Sequence, residues 1–340
     1  PDQSRKGKYA YSFPKNMTGI HDIFLDTLAE DKGHWNKELP FSEQQLDVLN
    51  QLLLGGEVDW SMLFDTFNSS AVRALSAMDI LLSETFYKLV RGVYSIKYYR
   101  VPFTQVYWTL RSMYNTVLAL LLHEYPKADI YHAVSAGYAG MIGAYAAHVH
   151  KARLVLTEHG IYTREREEEI IKADWVKGYF KNMWISFFYQ LSYCTYQCAD
   201  QVITLFNYNR QIQIELGCPP EKTMVIHNGI DVTKYEHVAD SVEKRIHPDP
   251  IRVGAIIRVV PIKDIKTMIQ AFAVVGKRKT NIEFIIMGPI DEDEDYYDEC
   301  LQYTRMLKLD HVTFTGKVNI MDYLKSMDML VLTSISEGQP

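Results

Sequence analysis

From Asp129 onward the sequence alternates short apolar runs with segments of helical character, and this texture constrains the fold more than any other feature. The runs are Ile130–Val134, Leu154–Thr157, Val202–Leu205 and Met224–Ile226. A second series follows at Ile251–Ile257, Ile282–Met287, Val312–Phe314 and Met329–Thr333. Near-continuous apolar strands separated by helices are what a parallel sheet buried on both faces requires, because its crossovers lay helices on the sheet. Between the two series lies a polar, charged stretch around residues 240–250. It contains His247-Pro248-Asp249-Pro250, which suits neither a helix nor a central strand. The expected fold is therefore α/β, with two Rossmann-like, doubly wound domains facing a cleft, residues 1–245 and residues 246–340.

Upstream of Asp129 the pattern is helical. Residues 1–40 hold no strong periodicity, whereas Ser42 with Gln45 forms a capping box and Leu46, Leu49 and Leu53 repeat at helical spacing up to Gly55-Gly56. Further helices are expected at roughly 70–95 and 104–123, the latter opening just after Pro102. This block reads as a helical insertion in the N-terminal domain.

Composition narrows the function. With 47% apolar and 23% charged residues the chain is neither disordered nor fibrous. A formal net charge of −6 argues against nucleic acid as a partner. Four cysteines without a C-x-x-C pair suggest neither a disulfide framework nor a zinc ribbon, and point to a reduced, cytoplasmic compartment. The longest uncharged run, Asn182 to Ala199, is too polar for a confident membrane span. It reads as a largely buried helix carrying Trp184, Phe187, Phe188 and Leu191. The alternative is an amphipathic face resting on a membrane or partner.

In an open α/β sheet ligands sit beyond the carboxyl ends of the strands, so the strand-end loops are where chemistry is expected. The first holds Gly137, Gly140 and Gly143. That spacing is not the dinucleotide fingerprint, and it fits close helix–strand packing as well as ligand approach. Next comes Thr157-Glu158-His159-Gly160, whose histidine is placed either for proton transfer and sugar contact or for structure. Arg164 with Glu168 is an i,i+4 pair, and Arg164 and Arg166 are alternatively cations for an anionic group. His227-Asn228-Gly229 closes the series as a turn signal. In the second series Arg258 directly follows an apolar strand, and Lys263 sits where a helix should begin. Two cations beside outward-pointing amides suit a diphosphate. The acidic run Asp291–Asp295 fits a helix N-terminus better than a metal site. Glu337-Gly338, at the last strand end, suits vicinal sugar hydroxyls.

Taken together, these residues resemble the retaining, nucleotide-sugar-dependent glycosyltransferases of family 4, which have the GT-B fold. The matching segments, in order, are Val155–Gly160, Ala199–Ile203, Val225–Asp231, Arg258 with Lys263, and Ser336-Glu337-Gly338. The helical N-terminal region and His159-Gly160-Ile161-Tyr162-Thr163-Arg164-Glu165-Arg166 are similar to the PelF subfamily, which acts in Pel exopolysaccharide synthesis. The resemblance implies that Arg258 and Lys263 hold the donor diphosphate, that Glu337 and Gly338 meet the donor sugar, and that His159 contacts it from the opposite domain. On the acceptor side it implies Gly137, Arg164, Arg166 and Asn228. It implies no metal and no cofactor. The partners implied are a nucleotide sugar (UDP-glucose), a polysaccharide acceptor and a membrane-bound polysaccharide synthase complex at the inner face of the membrane.

Two departures stand out. The second glutamate of the family's E-x7-E motif would fall five residues beyond Pro340, and no opening strand with a glycine-rich loop precedes Asp129, so the chain reads as truncated at both ends. The rival readings are a GT-B nucleotide-sugar 2-epimerase and a non-catalytic nucleotide-sugar-binding subunit of a synthase complex. The latter would dock through the aromatic helix around residues 179–199.

Overall fold

A computed structural model describes residues 12–24, 38–236, 250–279 and 281–335. The chain divides into two compact units, Pro1–His227 and Asn228–Pro340. The boundary expected at 245/246 falls outside the described residues.

Unit 1 opens with helices. α1 (Glu43–Leu54) carries the capping box: the Ser42 side chain accepts from the Gln45 amide, and Gln45 reaches back to the Ser42 amide. α2 (Trp60–Asn68) is capped by Asp59. The long helix expected over 70–95 is broken into α3 (Ser70–Arg73), α4 (Ala77–Leu81) and α5 (Glu84–Val93), which runs on into a π turn at Tyr94–Tyr98. Ser76 and Ser83 explain the breaks, because each accepts a hydrogen bond from the amide three residues on and so starts a new helix. α6 (Phe103–Leu122) matches the expected helix closely.

The sheet of unit 1 contains β1 (Ile130–Ala133), β2 (Arg153–Glu158), β3 (Gln201–Thr204) and β4 (Thr223–Val225), all parallel in the order β1-β2-β3-β4. Between them run α7 (Gly137–His150), α8 (Tyr162–Lys172), α9 (Tyr179–Cys198) and α10 (Asn207–Glu215). Strands stepping in one direction through right-handed crossovers collect their helices on one face. Burial follows that rule. Leu154, Leu156, Glu158, Val202 and Thr204 are buried, whereas Ile130, His132 and Met224 on the other face are exposed and Val155, Thr157 and Ile203 are half-buried. Among the described residues the second face of this sheet is therefore exposed or half-buried.

The helices of the insertion share one core with the sheet. Phe64 of α2 meets Tyr145 of α7 edge-to-face at 5.6 Å, and the Tyr114 hydroxyl donates to the Leu52 carbonyl at 2.6 Å. α9 is the buried helix the sequence suggests, with Phe187, Phe188 and Leu191 in the core and Trp184 packed against it. A side chain at Gly140 would strike Thr195 of α9, and one at Gly143 would strike Leu154 of β2. These two glycines let α7 lie close to both neighbours. Among the described residues no helix is long and apolar enough to cross a membrane.

Unit 2 contains β5 (Ile251–Ile256), α11 (Ile265–Gly276), β6 (Ile282–Met287), α12 (Glu294–Met306), β7 (Val312–Gly316), α13 (Ile320–Leu324) and β8 (Met329–Leu330). Its parallel sheet has the order β7-β6-β5-β8, so the winding reverses at β5. Val253, Ala255, Ile265, Ile269, Phe284 and Ile286 fill its own core. All eight strands lie on the apolar runs picked out in the sequence, and both sheets are parallel, as the α/β reading requires.

Candidate functional site

A reversal of winding leaves a crevice at the carboxyl ends of the strands on either side of it. In unit 2 that crevice lies at the end of β5. A pocket of about 430 Å³ opens there, lined among others by Ile257, Arg258, Lys263, Gly288, Pro289 and Lys317. Arg258 and Lys263 are therefore brought together as the sequence suggests.

Each arrives by its own route. Arg258 leaves the last residues of β5, held in register because the Ile257 amide donates to Met287 O at 2.8 Å and the Val259 amide to Pro289 O at 2.9 Å. Lys263 ends a 3-10 turn, Pro261–Lys263, just before α11. Asp264 caps that helix by accepting from the Thr267 amide. The chain beyond β8 ties down the same loop: Thr333 Oγ1 donates to Lys263 O and Asp264 O, and the Ile335 amide to Ile262 O at 3.0 Å. Glu337 and Gly338 lie outside the described residues.

Three features of this pocket escaped the sequence reading. Lys317 follows β7 and adds a third cation; it has no hydrogen bond or ion pair among the described residues. Thr315 and Gly316 separate it from the apolar run, so its signal is weaker than that of Arg258, which follows Ile257 directly. Glu292 accepts from Arg258 Nη1 at 2.8 Å, an exposed ion pair. The acidic run otherwise behaves as expected, Asp293 capping α12 with Glu294 and Asp295 in its first turn. Gly288 adopts φ +147°, and a Cβ there would lie 2.1 Å from the Ile257 carbonyl oxygen.

In unit 1, His159 is exposed beyond β2, and its carbonyl accepts from Asn209 Nδ2 at 3.4 Å. Arg164 Nη1 lies 3.5 Å from the Tyr208 hydroxyl. The loops after β2 and β3 thus form one corner. Arg164 does not pair with Glu168, which instead accepts from Lys172 at 2.5 Å. The helix turns Glu168 toward the residue four positions on rather than four back. Arg166 pairs with Glu169 at 2.6 Å and lies over the Tyr162 ring at 5.3 Å. Gly137, buried at φ +65°, leaves room for that ring; a Cβ there would fall 2.3 Å from it. Asn228 is exposed just past the end of unit 1.

Beneath His159 sits Glu158, 1% exposed. Its Oε2 accepts from the Tyr196 hydroxyl at 2.7 Å and from Gln213 Nε2 at 2.9 Å, and its Oε1 from the Tyr162 amide at 3.4 Å. One carboxylate therefore ties β2 to α8, α9 and α10. Burial pushes its pKa above the ordinary glutamate value, against the pull of those three donors. Such a carboxyl binds more protons folded than unfolded. Its contribution to stability is full below the unfolded pKa of about 4.5 and is lost as pH rises through the folded value. Glu158→Gln removes that dependence. Urea unfolding across this range should show parent stability falling with rising pH more steeply than that of the variant, and parallel curves would refute the assignment.

Among the described residues no group of three or more His, Cys, Asp or Glu side chains is arranged to hold a metal ion.

Comparison with known proteins adds the following. Residues 1–221 match the family described as Domain of unknown function (DUF3492), and residues 248–340 match the family described as Glycosyl transferases group 1. Among curated proteins none matches. Two solved structures of HepE from Anabaena are similar. The complex with UDP-glucose has 21% identity and TM-score 0.43, over 61% of this chain and 54% of that one. The complex with UDP and glucose has 17% identity and TM-score 0.46, over 89% of this chain and 73% of that one. Sucrose-phosphate synthase from Thermosynechococcus elongatus has 15% identity and TM-score 0.44, over 77% of this chain and 57% of that one. The chain thus spans about half the length of the first of these structures.

Proposed function

We propose that this chain, which belongs to the DUF3492 family through residues 1–221, serves as a retaining glycosyltransferase moving glucose from UDP-glucose to a growing exopolysaccharide, in keeping with its resemblance to the PelF subfamily. The observation that carries this reading is the pocket where Arg258, Lys263 and Lys317 converge at the winding reversal of unit 2. The match of residues 248–340 to the group 1 glycosyltransferases supports it.

In this reading the three cations take the donor diphosphate. An exposed ion pair such as Arg258–Glu292 is worth at most about 1 kcal/mol, so a doubly charged phosphate group displaces Glu292 readily. As the bond from the sugar C1 to the β-phosphate oxygen breaks, charge grows on that phosphate, and cations already fixed around it lower the barrier. The acceptor oxygen forms its bond to C1 on the face the phosphate leaves and gives its proton to that phosphate, so UDP departs and the configuration is retained. Glu337 and Gly338 bind the donor sugar. His159 is a further catalytic candidate, and Gly137, Arg164, Arg166 and Asn228 serve the acceptor. The enzyme works without a metal, in the cytoplasm, beside a membrane-bound synthase complex.

The test is to titrate the full-length protein with UDP-glucose and then follow UDP release with and without acceptor. Acceptor-dependent release is expected. Binding without release would make the protein a non-catalytic subunit, and isomerised sugar would make it an epimerase. Lys317→Ala should weaken UDP binding about tenfold, the size of one hydrogen bond to a charged group, with Lys317→Arg close to the parent. Unchanged affinity in the alanine variant would remove Lys317 from the site.

A further inference from the structure

Residues 85–123 of unit 1 hold Lys88, Arg91, Lys97, Arg100 and Arg111 and no aspartate or glutamate, in a chain whose formal charge is −6. The fold sorts these cations. Lys88 is neutralised by Glu84 at 3.1 Å, and the exposed Lys97 donates to the Leu54 carbonyl at 2.5 Å. Arg91 and Arg100 are exposed, and neither pairs with a carboxylate among the described residues. Arg111 stacks over the Trp108 ring at 4.8 Å.

Aromatic rings line the same helices. Tyr87 of α5 meets Phe103 of α6 at 5.7 Å, Tyr94 meets Phe103 at 5.2 Å, and Tyr107 meets Trp108 at 5.7 Å. The rings thus form one continuous strip across α5, the π turn and α6. Trp108 of this strip is 55% exposed. Tyr99, whose carbonyl accepts from the Tyr94 hydroxyl at 3.4 Å, is 57% exposed, with the Arg100 guanidinium over its ring. A folded protein gains nothing from leaving a tryptophan and tyrosines in water.

We propose that this strip docks the protein on an anionic phospholipid surface, with Trp108 and Tyr99 entering the headgroup layer and Arg91, Arg100 and Arg111 meeting lipid phosphates. The combination favours a bilayer over a soluble acidic partner. Amphipathic rings with a polar edge settle at the boundary between headgroups and acyl chains, and unpaired guanidinium groups add attraction to anionic lipid. A purely electrostatic partner would need the arginines but not the exposed rings. This surface differs from the one the sequence suggested, because the aromatic face of α9 is spent inside the core.

The experiment is co-sedimentation of the full chain with phosphatidylcholine vesicles, with and without phosphatidylglycerol, at low and high salt, alongside tryptophan fluorescence. Binding should need phosphatidylglycerol, fall with salt and shift the emission to the blue. Arg91→Ala with Arg100→Ala should weaken it roughly tenfold or more, at about a factor of five for each charge near the surface. Trp108→Ala should abolish the blue shift, while Arg91→Lys with Arg100→Lys should restore binding. Arg278→Ala with Lys279→Ala, an equal loss of exposed charge in unit 2, should leave binding unchanged. The proposal is overturned if the parent protein ignores anionic vesicles or if the unit 2 control loses as much binding. Binding of soluble polyglutamate as tightly as vesicles, without help from Trp108, would overturn it in favour of an acidic macromolecule.

Discussion

Arg258→Ala and Lys263→Ala, each made in the complete enzyme, are expected to lower kcat by roughly 10²–10³-fold, the loss typical of removing one preorganised donor. The expectation follows from where the charge appears. The diphosphate is anionic before the reaction, so both cations contribute to donor binding. Negative charge increases on the β-phosphate as the sugar departs, and the same cations then bind more strongly. Only that increment speeds the reaction, so kcat should fall by more than KM rises. Neither change should disturb folding. Arg258 is exposed and its one described partner, Glu292, is exposed as well, so an alanine leaves behind a carboxylate that water solvates. The bonds from Thr333 to the Lys263 and Asp264 carbonyls involve the backbone of that loop and survive truncation of the side chain. Steady-state kinetics with UDP-glucose and acceptor, with circular dichroism as the folding control, decides the matter. Turnover within a few-fold of the parent in both variants would remove these residues from the chemistry.

Much of this arrangement was legible in the sequence because parallel strands are written locally. A run such as Ile282–Met287 is apolar except for Glu283 and lies between Asn281 and Gly288, so its position needs little tertiary information. Arg258 was legible for a related reason: a charge immediately after such a run must sit at a strand end. Lys317 carries a weaker signal, because Thr315 and Gly316 stand between it and the apolar run of β7. The remainder depends on which strands become neighbours. The Arg258–Glu292 pair joins residues that follow β5 and β6, and only the pairing of those strands brings them together. Glu158 looks like part of a polar strand end until three helices close over it and fix it through Tyr196, Gln213 and the Tyr162 amide. The half-exposed face of the first sheet follows from its one-directional strand order, a property of the whole sheet that no single strand records. Within the helical region, Ser76 and Ser83 are ordinary in composition. Whether a serine interrupts a helix or rides on its surface is settled by its backbone conformation.

The second large effect is expected at Gly288, where Gly288→Ala should cost about 3 kcal/mol or more of unfolding free energy. Two independent penalties meet there. The backbone sits at φ +147°, a region that side-chain-bearing residues avoid, and the added methyl would lie 2.1 Å from the carbonyl oxygen of Ile257 and 2.8 Å from its carbonyl carbon. Nothing nearby can yield cheaply. The obstructing atoms are backbone, and the ends of three adjacent strands are tied together at this level. The Ile257 amide donates to Met287 O at 2.8 Å, the Gly288 amide to Gly316 O at 3.0 Å, and the Val259 amide to Pro289 O at 2.9 Å. Relieving the clash would mean separating the end of β5 from that of β6, and Arg258 is the next residue along. Protein that still folds should therefore also bind UDP poorly, because the strand end that aims Arg258 has moved. Arg258→Ala, in contrast, should lose activity without losing stability. Thermal unfolding followed by calorimetry distinguishes the two, with a midpoint for Gly288→Ala lower than the parent's by roughly 6–12 °C in a domain of this size range. A midpoint within about 2 °C of the parent, with UDP affinity intact, would show that the strand ends are looser than these hydrogen bonds imply.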